Sequence, residues 1–196
     1  DVGLRFKSNR GRGGVVENIH ISDIYMFNIT TDSFLFDLYY GGKSASESLA
    51  DGDTTPVDQP PFPVSEETPV FRNIYVRDLV SRNARRALFF NGLPEMNIEN
   101  IHLENAFITA RYGAELSESK EITFNNVTVI PEEGPAYMLH NVKQFTADGI
   151  FSDDEKGNPL VEITGERSEA VRLTGVPREQ VEIASGADSS EVVCLN

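Results

Sequence analysis

Four short segments of this chain read apolar–x–Asn–apolar–x–apolar: VENIHI (16–21), FRNIYV (71–76), IENIHL (98–103) and FNNVTV (124–129). Their asparagines, Asn18, Asn73, Asn100 and Asn126, stand 55, 27 and 26 residues apart. A period in this range, carried by short strands and turns, is the signature of stacked repeats, each unable to bury its apolar face alone. The long first spacing fits one coil with an insertion, or two coils. Between the repeats lie further β-type runs: FLFDLYY (34–40), ALFF (87–90), ITFNNVTVI (122–130) and LVEIT (160–164). No stretch sustains a helical period. The expected fold is therefore an all-β solenoid, with strands pairing about 4.8 Å apart. Asn73, Asn100 and Asn126 are expected to form one internal ladder of amide bonds that Asn18 joins across the insertion. A β-sandwich with coincidental Asn-Ile pairs is the alternative, and four in-phase repeats argue against it.

The segment GGKSASESLADGDTTPVDQPPFPVSEETP (41–69) has the Gly, Ser and Pro content of a long surface loop. Residues 150–196 keep some alternation but lose the asparagine, as terminal capping coils of a solenoid do. The chain starts with Asp1 and contains no leader, so residues 1–196 are expected to be the C-terminal part of one domain whose N-terminal coils lie upstream. The one cysteine, Cys194, excludes an intrachain disulfide and a cysteine metal cluster. No apolar run approaches the roughly 20 residues of a membrane span.

Charge is distributed unevenly. The protein carries a net −14, yet Arg5, Lys7, Arg10 and Arg12 fall within its first twelve residues, interleaved with glycine. A local basic site on an acidic body suits a small anionic target and not a nucleic acid, which needs a broad basic face. On a strand, LRFK sends Leu4 and Phe6 to one side and Arg5 and Lys7 to the other. Two cations side by side repel each other, but together they clamp a carboxylate, Arg as a bidentate fork and Lys as a point charge. A solvated face neutralised by acids of neighbouring coils is the competing reading.

The stretch GLRFKSNRGRGGVVENIHISDI resembles the segment that follows the catalytic turns in polygalacturonase-like glycoside hydrolases of family 28. The stretches FDLYYGGK and FRNIYVRDLVSRNARRALFFNGLPEMNIENIHLENAFITA resemble the same family, so that the likeness spans about residues 1–145. It implies a right-handed parallel β-helix that hydrolyses galacturonan or a related pectic chain with inversion, without a cofactor or metal, as an extracellular or periplasmic monomer. It implies that Arg5 and Lys7 grip the sugar carboxylate and that Tyr40 contacts the substrate beside them. The direction of Tyr39 is left undetermined by the pattern. The family's Asn-Thr-Asp, Asp-Asp and Gly-His-Gly turns do not occur here in their context, so the catalytic pair is expected upstream and the chain alone is expected to be inert.

Other residues carry weaker signals. Asp153–Asp154 reads as a solvated turn. His20 and His102 sit inside repeat strands and read as packed or edge residues. Arg82, Arg85 and Arg86 either extend the groove or face solvent. Asn28-Ile-Thr30 and Asn126-Val-Thr128 match the glycosylation pattern, with Asn126 expected to be buried in the ladder. A non-catalytic solenoid that binds acidic polysaccharide or serves as a spacer is the second function, and a polysaccharide lyase with a calcium site is the third.

Overall fold

The computed structural model of the protein describes residues 2–39, 59–153 and 156–195. They form an all-β molecule with no α-helix among them: β1 (Leu4–Lys7), β2 (Val15–Phe27), β3 (Asp32–Asp37), β4 (Val70–Asn91), β5 (Ile98–Phe151), β6 (Val161–Thr164), β7 (Val171–Thr174), β8 (Val181–Ile183) and β9 (Val192–Leu195). Every ladder between these strands is parallel. A sandwich built of antiparallel strands does not have this pairing.

The register shows how the chain returns. Val15 pairs with Val70, Arg72 with Glu99, Tyr137 with Val161, and Val161 with Val181. Straight, the 54 residues of β5 would span about 180 Å. Instead β5 lies back on itself: Asn126 Nδ2 donates to Asn105 Oδ1 (2.9 Å), Arg111 pairs with Glu133 (3.0 Å), and Asn141 Nδ2 donates to Glu118 (2.8 Å). A methyl group on Gly113 would collide with the carbonyls of Pro135 and Ala136, so glycine is required where these passes approach.

The bends occur at residues with positive φ, and these recur in pairs five apart: Asn18 and Asp23, Asn73 and Asp78, Asn100 and Asn105, Glu121 and Asn126, Gln144 and Gly149, Ala170 and Gly175. The left-handed conformation costs an ordinary L-residue roughly 1–2 kcal/mol, and Asn and Asp tolerate it best. This is why asparagine punctuates the strands.

The internal asparagine ladder is not what forms. Asn73 Nδ2 donates to Asn18 Oδ1 (3.3 Å) and Asn100 Nδ2 to Asn73 Oδ1 (2.8 Å), but Asn18 is exposed and the other two are half-buried. Asn126 belongs to the neighbouring column, with Asn105 and Asp78, and is exposed. The amides of these two columns point outward, while the apolar residues flanking them point in. The core is mainly apolar, centred toward the N-terminus on Phe34, Phe36, Phe71 and Phe90, and further on Phe124, Tyr137 and Phe145. Tyr137 buries its hydroxyl by donating to the Val127 carbonyl (2.7 Å), and that burial pushes its phenol far above the usual range. Residues 59–69 contain no strand, and the remainder of the expected 41–69 loop lies outside the described residues.

Candidate functional site

Strand β1 alternates as its sequence dictates. Leu4 and Phe6 pack against the core, Phe6 with its ring 4.9 Å from Phe36, whereas Arg5 and Lys7 are exposed on the opposite side. In register across the sheet, Arg5 leads to Leu35, Phe89 and Glu115, and Lys7 leads to Asp37, Asn91 and Ser117. The first row forms an apolar floor, since Leu35 and Phe89 are buried although they face away from the core phenylalanines. The Arg86 guanidinium covers Phe89 at 3.5 Å while binding Asp32 (2.6 Å) and Glu115 (2.8 Å). Burial pushes the Glu115 carboxyl up, with Arg86 opposing. In the second row, Asp37 Oδ1 accepts from Asn91 Nδ2 and from the Tyr39 amide, both at 2.9 Å.

The glycine-rich turn after β1 closes one end of this face. Gly13 has φ +62, and a side chain there would strike the Glu66 carbonyl, so the RGRGG run packs directly on residues 66–67. Arg10 forms a fork on Glu95 (2.6 and 3.0 Å) and lies over the rings of Tyr39 (5.2 Å) and Phe62 (4.4 Å). The Glu95 side chain is only 3% exposed. Burial pushes its carboxyl up, but bonds from Arg10 and from the Phe62 amide outweigh this and hold it below the usual value. Burial raises the Tyr39 phenol, against the pull of Arg10. Farther down the face, Glu118 accepts from Asn141, from Asn97 (3.3 Å) and from Arg167.

Arg5 and Lys7 therefore share one exposed side, while Tyr40 lies outside the described residues. Tyr39, whose direction the pattern left undetermined, is the described tyrosine at this site, under the Arg10 guanidinium. Arg10 was noted by sequence only as one of the four N-terminal cations, and Glu95 and Glu118 were not singled out; their partners are 21 to 85 residues away, beyond any local pattern. Arg86 is committed to an ion network. Arg82 and Arg85 are exposed. His20, Tyr75 and His102 stack ring on ring at 4.7 and 4.8 Å, His102 bonding Asn100 (2.8 Å), so the two histidines are packing residues. Asp153 is exposed, and Asp154 lies outside the described residues.

Glu95, Glu115 and Glu118 are each engaged by arginine, and Asp37 by amide donors. Among the described residues no three His, Cys, Asp or Glu side chains cluster to hold a metal. The face presents the Arg5 and Lys7 cations at its rim, above a buried Leu35–Phe89 row that Arg86 covers. No family model, no curated protein and no solved structure matches the chain.

Proposed function

We propose that this face binds the uronic-acid units of pectic polysaccharide, as the carboxylate subsite of a family 28-like inverting glycoside hydrolase with a right-handed parallel β-helix fold. The observation that carries the reading is the departure of Arg5 and Lys7 from one exposed side of β1, next to the Leu35–Phe89 floor. A guanidinium and an ammonium two residues apart hold both oxygens of a carboxylate. The parallel register and the paired bends support the solenoid. Acid and base are not assigned to this chain, because its face carboxylates are committed to arginine and amide partners. That commitment favours the second reading, a non-catalytic binding module, to the same degree that it leaves catalysis to residues elsewhere.

The test is calorimetric titration with galacturonate oligomers. Arg5→Ala and Lys7→Ala should each weaken binding about ten- to a hundredfold, the loss of a hydrogen bond to a charged group. A neutral galactan oligomer should lose much less. Equal losses on both sugars would sink the clamp, and reducing-sugar release by this chain alone would overturn the assignment of acid and base elsewhere.

A further inference from the structure

A second surface carries unabsorbed chemistry. On β2, Tyr25 and Phe27 are 63% and 53% exposed, with their rings edge to face at 5.0 Å. Phe27 is in register with Arg82, and Tyr25 with Val80 and then Phe107. The Arg82 guanidinium lies 5.4 Å from the Phe107 ring, and Arg85 lies 5.8 Å from Tyr112 beyond the next bend. Among the described residues neither Arg82 nor Arg85 makes an ion pair, although the protein bears 31 acids to 17 bases. Nearby Arg77 and Arg111 do pair, with Asp78 (4.0 Å) and Glu133 (3.0 Å).

We infer that the belt of Tyr25, Phe27, Arg82, Phe107, Arg85 and Tyr112 is a separate binding surface for a chain of acidic sugars. The exposed rings of Tyr25 and Phe27, next to the half-buried Phe107 and Tyr112 with their guanidinium neighbours, match a polymer that presents flat C–H faces and a carboxylate at each unit. Arg82 and Arg85 stand outside ion-pair distance of any described carboxylate, Arg85 acting on Glu115 only through its field, and they give this strip a local positive charge on an acidic body. A nucleic acid is disfavoured because its denser charge is repelled by the net −14 around the strip. This ligand class comes from the belt's own chemistry, and the inference stands or falls apart from the Arg5–Lys7 clamp.

The experiment titrates a galacturonate hexamer onto four proteins: the full chain, its Arg5→Ala/Lys7→Ala variant, its Arg82→Gln/Arg85→Gln variant, and the variant with all four changes. Binding that survives the first pair of changes and falls at least tenfold with the second supports the belt. Surviving binding that ignores the second pair, or complete loss with the first, overturns it. If instead the Arg82/Arg85 changes alone abolish all binding, the belt stands and the clamp falls. Tyr25→Ser, a surface change that leaves the core intact, should weaken the residual binding as well, with circular dichroism confirming the fold. Single-stranded DNA bound as tightly as the hexamer would refute the choice of sugar.

Discussion

The N-terminal and C-terminal strands of the sheet bend at equivalent places with different side chains. At the front, Asn18, Asn73 and Asn100 hold positive φ and bond amide to amide; at the rear, Glu121, Gln144 and Ala170 stand at the corresponding bends five residues before Asn126, Gly149 and Gly175. The repeated requirement is thus the backbone conformation, and the amide ladder is an addition the front can make. The cores differ in parallel. Five phenylalanines, Phe6 included, converge at the front, while Val161, Ile163, Val171, Leu173 and Val181 fill the rear. The buried polar bend that the front lacks is found instead at Asn141, which is fully buried and bridges Glu118 and the Arg167 amide.

The largest expected effect tests the cores. Phe36→Ala should cost about 3–5 kcal/mol, and Val181→Ala about 2, in urea unfolding. Equal costs would mean that the two ends are equally packed and would break the comparison. Asn141→Ala should cost about 2–3 kcal/mol because Glu118 and the Arg167 amide lose a buried partner, against about 1 for the half-buried Asn100→Ala. A reversed order would restore structural weight to the front ladder.

Charge sharpens the contrast on the outer face. Glu95→Gln should cost about 1.5 kcal/mol at neutral pH. Glu95 has a lowered carboxyl, so its contribution is present above the unfolded value near 4.5 and disappears as pH falls through the folded value. Glu115 is raised, so its contribution is full below 4.5 and diminishes as pH rises through its folded value. Thermal melts of wild type against Glu95→Gln and Glu115→Gln across this range should therefore give differences that slope in opposite directions. Parallel slopes would show that Arg86, and not burial, governs Glu115. The smallest effect is at Ala170, with φ +52: Ala170→Gly should stabilise by about 0.5–1 kcal/mol, while Asn100→Gly should change little beyond the lost amide bond. No gain at Ala170 would mean that its bend is not strained.

The all-β character, the strand segments and the outward pair Arg5–Lys7 were legible because they depend on alternation within a few residues. The phase of the repeat was only half legible. Asn126 follows Asn100 by 26 residues and so mimics the 27-residue step before it, but its true partner is Asn105, 21 residues away. A five-residue pairing of bends combined with a shortened coil produced the coincidence, and a motif centred on one asparagine could not separate them. Arg86 escaped for another reason. SRNARR reads as an exposed cationic turn, yet the shift in register between Ser81 and Ala84 turns Arg86 onto Phe89 and toward two acids. Side-chain direction after a bulge is not set by counting.

The parallel register also bears on how the chain finds its fold. Most paired residues are 20–30 apart, so closing each loop orders little chain, and pairing can begin at any strand pair and spread to its neighbours. The step from β2 to β4 spans 55 residues, about twice its successor. Doubling a loop raises its closure entropy by only about 0.6 kcal/mol. The stretch between Tyr39 and Gln59 can therefore lengthen or shorten over generations at little thermodynamic cost. In refolding, amide protons of β2 should gain protection from exchange after those shared by β4 and β5.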